Sequence, residues 1–152
     1  METKIIITIA LIISAVLLAT KIFQEVNNEQ FNEGKYIHID SVVIEFNKSN
    51  ANVYVEYHLS PLAEVYIFLF GSKHLEPKIK EIFADFGDVK ILTVESNSAS
   101  LLVSNISQKS DKFYLHESRK LDVQPDILTL VYPDGIRRNI LNTNFTPNTF
   151  YT

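Results

Sequence analysis

Sixteen consecutive residues, IIITIALIISAVLLAT, lie between Lys4 and Lys21 without a single charge. As a helix rising ~1.5 Å per residue they span roughly 24 Å, short of the ~30 Å hydrocarbon core of a bilayer. Adding Ile22 and Phe23, and letting Lys4 and Lys21 reach outward to the head groups as membrane-flanking residues, completes a single crossing. The expectation is an anchor over residues 1–23 that contacts membrane lipid through residues 5–23. The alternative is a cleaved signal peptide, which wants small residues one and three positions before the cut. Cutting after Ala19 leaves Leu17 three positions back, and cutting after Thr20 leaves Leu18, so the uncleaved anchor fits better. A short N-terminal tail before a long downstream domain is expected with its N-terminus in the cytoplasm and the domain outside the cell membrane.

Beyond Lys21 the chain holds 12 Lys and Arg against 17 Asp and Glu, a net charge of −5 over residues 22–152. That length suits one domain, able to bury roughly two-thirds of its unfolded surface. The acidic balance argues against nucleic acid as a partner, since a nucleic-acid binder needs a basic face. The absence of cysteine removes disulfides, thiolate zinc sites, iron–sulfur clusters and cysteine nucleophiles. Glycosylation triplets occur at Asn47, Asn105 and Asn144, no more than a mild excess over what the Asn and Ser/Thr content produces by chance.

Residues 24–35 are polar and acidic and read as a stalk or an extension of the anchor helix, stopping at Gly34. A hairpin follows. Ala51, Val53, Val55, Tyr57 and Leu59 alternate with polar residues, and YIHIDSVVIEF is rich in β-branched and aromatic residues. A turn at Asn47–Asn50 sets Phe46 opposite Ala51, Ile44 opposite Val53 and Val42 opposite Val55. The same register sets Asp40 opposite Tyr57 and His38 opposite Leu59. Ser60-Pro61 opens a helix whose body, LAEVYIFLF, ends at Gly71, although VYIFLF also suits a buried strand. Leu75, Ile79, Ile82, Phe83 and Phe86 line one face of a second helix closed by Gly87.

Strands are then expected at Val89–Glu95, Ala99–Asn105, Lys112–His116, Ile127–Tyr132 and Ile136–Leu141, the last two joined by Pro133-Asp-Gly135. The fold class is α+β: an N-terminal transmembrane helix, then a mainly antiparallel sheet domain over residues 36–141 with one or two helices inserted after the first hairpin. Residues 142–152 read as an extended tail.

His38, Asp40 and His58 stand close along the hairpin, but the one-register reading turns His58 to the opposite face. No metal site and no cofactor are therefore expected, unless a register slip or a bulge falls between Val42 and Asp40. His38, Asp40 and Tyr57 remain weak catalytic candidates, since a buried carboxylate beside an imidazole and a phenol can move protons. His74 and His116 read as solvated. The familiar nucleophile, zinc-protease and phosphate-loop motifs are absent, and Gly34, Gly71, Gly87 and Gly135 all read as helix stops or turns. The basic pairs Arg119-Lys120 and Arg137-Arg138 read as solvated surface. Tyr66, Phe68 and Phe70 need burial in a core, a partner or a membrane interface, and Phe145, Phe150 and Tyr151 in the tail are further candidate contacts.

The blocks HLSPLAEVYIFLFGSKHLEP, FYLHESRKL, LTLVYPDG and TPNTFY resemble a group of small exported proteins of methanogenic archaea. The resemblance spans most of residues 36–151 and implies a cell-surface setting, with no activity attached. A hydrophobic N-terminal helix before a β-rich head also resembles pilin-like filament subunits, yet METK offers no processing site and residues 5–20 contain no acid. The expected function is a membrane-anchored extracytoplasmic domain with a non-catalytic binding, assembly or envelope-structural role, partnered by another membrane or envelope protein. The alternatives are a cleaved secreted domain or a small hydrolase-like enzyme using Asp40, His38 and Tyr57.

Overall fold

The apolar residues of the first predicted strand change parity partway along: Ile37 and Ile39 are odd, Val42, Ile44 and Phe46 even. All five are buried. A regular strand puts alternate residues on opposite faces, so both sets can face one core only if an extra residue is inserted between them. The computed structural model, which describes residues 12–14, 17 and 36–152, has that irregularity between Ile39 and Ser41. Strand β1 (Ile37–Asn47) pairs antiparallel with β2 (Asn50–Leu59) on both sides of it.

The chain divides into two units, Met1–Tyr36 and Ile37–Thr152. Of the anchor segment, Ile12, Ile13, Ser14 and Leu17 are helical and exposed. The rest of the expected anchor, its flanking Lys4 and Lys21, and the stalk at 24–35 lie outside the described residues. Among the described residues no helix is long and apolar enough to cross a membrane.

In the second unit β2 leads into α1 (Pro61–Phe70), a 3-10 turn at Ser72–Leu75 and α2 (Glu76–Ile82). The helix reading of VYIFLF therefore holds over the strand alternative. Ser60 sits at the N-cap with extended backbone, but its hydroxyl makes no capping bond; the Glu64 N–H bonds the Ser60 carbonyl at 2.9 Å instead. Strands β3 (Asp88–Val94) and β4 (Ser98–Ser104) form the second hairpin. The short strands β5 (Ser107–Ser110) and β6 (Phe113–His116) follow, then β7 (Ile127–Val131), β8 (Arg137–Leu141) and β9 (Thr149–Tyr151). The β7–β8 turn closes as its sequence suggests, with the Tyr132 N–H on the Ile136 carbonyl at 2.9 Å and Gly135 at φ 86°, a value that costs glycine little.

The result is an α+β unit built on a mainly antiparallel sheet of order β3-β4-β2-β1-β7-β8, in which only β1 and β7 run parallel. The first hairpin thus lies at the centre. One face carries the core residues of β1 and β2 together with Ala99, Leu101, Val103, Leu128 and Leu130. Ala63, Ile67, Leu75, Ile79, Ile82, Phe83 and Phe86 of the helical segment are buried with them, each large apolar side chain contributing roughly 1.5–3 kcal/mol by leaving water. The opposite face keeps polar cross-strand pairs such as Thr93 Oγ1 with Ser100 Oγ at 2.6 Å, and along β1 and β2 it is open, with His38, Glu45, Tyr54, Glu56 and His58 exposed.

A second sheet, β5-β6-β9, recruits the C-terminal tail. Phe46 at the far end of β1 packs there against the rings of His116, Tyr132 and Tyr151 at 5.0, 5.8 and 4.8 Å. His116 is fully buried, which corrects the expectation of a solvated side chain. Its Nδ1–H donates to the Ile106 carbonyl at 3.1 Å, leaving Nε2 to accept the Thr146 hydroxyl at 2.8 Å.

Burial pulls the His116 pKa below its ordinary 6.5, and nearby Arg119 adds to the effect, against the Ile106 bond and Glu117. Below about pH 6.5 the unfolded chain takes up a proton that the folded chain refuses, so stability falls as the pH drops through that value. Thermal unfolding followed by circular dichroism is expected to give a Tm that declines between about pH 7 and pH 5. In His116→Gln the Tm should be lower at neutral pH and that part of the decline lost. Equal slopes in the two proteins would exclude His116 as the source.

Candidate functional site

Asp40 is the residue inserted at the β1 irregularity. On one side of it Ile39 pairs with Tyr57 and His38 with His58; on the other Ser41 pairs with Glu56 and Val42 with Val55. His38 and His58 thus stand side by side on the open face, their rings 4.7 Å apart. The Asp40 carboxylate is turned to the same place, with Oδ1 2.7 Å from His58 Nδ1 and 4.0 Å from His38 Nε2. A fourth group arrives along the parallel pairing. The Asp126 N–H donates to the Ile39 carbonyl at 3.1 Å, one residue before β7 begins, and its carboxylate oxygens lie 3.1 and 3.2 Å from His38 Nε2. The side chains of His38, Asp40, His58 and Asp126 are 50%, 43%, 62% and 62% exposed, so water reaches all of them.

This geometry corrects three expectations at once. Asp40 does not face Tyr57, His38 does not face Leu59, and the two histidines are not on opposite faces, because the inserted residue reverses the parity of everything before it. Asp40 is therefore no buried acid. Tyr57 stays on the core face, 1% exposed, and its hydroxyl donates toward the carbonyls of Glu95 and Ser98 at 2.7 and 3.2 Å. The trio His38, Asp40 and Tyr57 is split across the sheet and offers no joint acid–base site. Nothing local in the sequence points to Asp126, which lies 88 residues from His38. The parity change in YIHIDSVVIEF, in contrast, was a readable sign of the irregularity.

His58 also stands at the rim of a groove of about 630 Å³ between α1 and the β3–β4 turn, with Val65, Ile67 and Phe68 on one wall and Ser72, Ser96 and Asn97 on the other. The outer surface of α1 continues the apolar wall. Only Ala63 and Ile67 of this helix are buried, while Leu62, Val65, Leu69 and Phe70 are exposed and Phe68 is 88% exposed. Tyr66 is half-buried, packed between Phe70 at 4.7 Å and the exposed His74 at 5.6 Å. In the tail Phe145 and Phe150 are exposed. Tyr151 is not: at 6% exposure, with its hydroxyl 2.8 Å from the Lys48 carbonyl and 2.7 Å from Ser107 Oγ, it is a core residue with no surface for a partner. Of the glycosylation triplets, Asn47 and Asn105 are exposed and Asn144 is half-buried.

Comparison with protein-family models, curated proteins and solved structures gives no match for this chain. The chemistry of the cluster therefore rests on its own atoms. Two imidazoles and two carboxylates can exchange protons with water or ligate a cation of borderline softness, and among the described residues His38, Asp40 and His58 are the group of donors close enough to share an ion.

Burial, with Glu95 nearby, pushes the Tyr57 phenol up to about 12 from its ordinary 10.0. Between these values the unfolded chain loses a proton that the folded chain retains, so stability falls as the pH rises from about 10 toward 12. The loss is on the order of 2–3 kcal/mol. Tyr57→Phe should cost about 1 kcal/mol at neutral pH through the lost hydrogen bonds, and show less alkaline destabilisation in urea titrations. A variant with the wild-type alkaline slope would refute the assignment.

Proposed function

We propose that this chain is a membrane-anchored, extracytoplasmic binding module without catalytic activity, which engages a protein partner in the plane of the membrane through α1. The observation that carries the reading is the exposed apolar surface of α1, continuous with the groove beside it. Leu62, Val65, Phe68, Leu69 and Phe70 together present more apolar side chain to solvent than a lone surface residue needs explained. Burying Phe68 alone against a partner is worth roughly 1.5–3 kcal/mol.

A protein is favoured over the lipid surface as the occupant of this face. Helices that lie in the head-group region lean on Lys and Arg, whereas the one charged residue of α1 is Glu64 and its last turn carries no base. The groove supplies a slot for an apolar side chain, and the polar wall at Ser96 and Asn97 supplies hydrogen bonds for orientation. Tethering through residues 5–23 confines the module to the bilayer and raises its effective concentration toward other membrane proteins. The resemblance to small exported proteins of methanogenic archaea agrees with a cell-surface setting.

The test is a photo-crosslinking residue placed at Phe68 of the full chain in its native membrane, with Glu81, exposed on α2, as the control position. A discrete heavier adduct is expected from position 68 and none from 81, and Val65→Ser with Leu69→Ser should remove it. Phe68→Ser should change folding stability by less than about 0.5 kcal/mol, since the ring makes little contact with its own fold. No adduct at position 68, or release of the chain from membranes by a carbonate wash, would overturn the reading.

A further inference from the structure

We propose that His38, Asp40, His58 and Asp126 form a binding site for a divalent first-row transition ion, with zinc the natural probe. One donor atom from each of His38, Asp40 and His58 falls within 4.8 Å of the other two. In a tetrahedral site with metal–ligand bonds of about 2.0–2.1 Å, neighbouring donors stand roughly 3.3 Å apart. The observed separations bracket that spacing: 2.7 Å from Asp40 Oδ1 to His58 Nδ1, 4.0 Å from Asp40 Oδ1 to His38 Nε2, and 3.1 Å from His38 Nε2 to Asp126 Oδ2. Turning these half-exposed side chains brings the donors of His38, Asp40 and His58 onto one centre, and Asp126, 3.1 Å from His38 Nε2, stands beside them as a further oxygen donor.

The backbone supplies the preorganisation. His38 and His58 are held as a cross-strand pair at the open end of the central β1–β2 hairpin, Asp40 is fixed by the strand irregularity, and Asp126 is tied to β1 through the Ile39 carbonyl. Three of the four sit on strands, and Asp126, in the bend before β7, is held to β1 by that hydrogen bond. Each imidazole nitrogen that faces the centre is already matched to a carboxylate, His58 to Asp40 and His38 to Asp126. An ion placed there takes over both contacts, and Asp126 passes from a partner of His38 to a ligand beside it.

The donor set selects the ion. Imidazole nitrogen with carboxylate oxygen suits Zn²⁺, Co²⁺, Ni²⁺ and Cu²⁺, while Mg²⁺ and Ca²⁺ prefer oxygen alone. The two negative carboxylates offset the dipositive charge, so a bound ion leaves no large local excess. Because the site adjoins the groove through His58, an ion there would also stand at the rim where a partner enters. The metal site is independent of the partner reading and stands or falls separately.

Zinc binding by the full chain in detergent micelles, measured by isothermal titration after EDTA treatment and gel filtration, tests it. One Zn²⁺ per chain is expected with a Kd in the micromolar range, together with a rise in Tm that Mg²⁺ and Ca²⁺ do not produce. His58→Ala and Asp40→Asn should each weaken binding at least about tenfold, and Asp126→Asn should weaken it less. His74→Ala, an exposed histidine elsewhere, should leave it unchanged. Co²⁺ should give visible d–d absorption lost in His38→Ala. No saturable zinc binding below millimolar concentration by the unmodified chain overturns the proposal without recourse to any variant. So does binding that persists when His38 and His58 are replaced together.

Discussion

β1 must satisfy an antiparallel neighbour and a parallel one while burying two apolar sets of opposite parity, and much of the arrangement depends on how it does so. If the strand ran regularly, either Ile37 and Ile39 or Val42, Ile44 and Phe46 would face water. Losing the burial of either set costs several kcal/mol by the usual ~25 cal/mol per Å² of apolar surface. An irregularity in the ladder is cheaper, and it falls at Asp40, a residue with little to gain from the core. The hydrophobic requirement on one face therefore dictates what happens on the other: Asp40 is expelled to the open face, and His38 moves into line with His58.

The two ends of the central hairpin then differ in kind. At the turn end, Phe46 is roofed by the small second sheet, whose last strand comes from the C-terminal tail, and the buried His116 ring and Tyr151 hydroxyl there are matched to carbonyls or hydroxyls. At the other end, the sheet is not roofed on its open face, and charged and imidazole side chains collect in water. The helix that follows β2 begins at this open end. Its inward residues are small or aliphatic, Ala63 and Ile67, while Leu62, Val65, Phe68, Leu69 and Phe70 are exposed. A helix apolar on all sides calls for a second covering surface, and among the described residues α1 has only one.

Hydrophobic periodicity made most elements legible. The alternation from Ala51 to Leu59 located β2, and it also fixed the correct pairing with Val42, Ile44 and Phe46. The stripe from Leu75 to Phe86 identified the core face of the second helical stretch, although the chain breaks it into α2 flanked by 3-10 turns. Pro133-Asp-Gly135 located the β7–β8 turn. The site was less legible. His38, Asp40 and His58 were visible as neighbours, but a single register carried past Val42 set them on the wrong faces. His116 does end a strand, but it read as solvated because the segment that covers it, with Thr146 and β9, lies about thirty residues later.

The sequence by itself determined which residues must leave water, where the chain must turn, and that an uncharged run precedes an acidic α+β unit, because these follow from local pattern and composition. Only the tertiary structure decided which strand takes the second edge of β1. Choosing β7, in parallel, is a long-range pairing that no local periodicity encodes. That choice brings Asp126 to His38, while the cooperative demand of the core for both halves of β1 sets Asp40 between the two histidines. Pairing across distant segments is settled by the total burial of the sheet, and so the side chains on its open face are placed by residues on the face opposite.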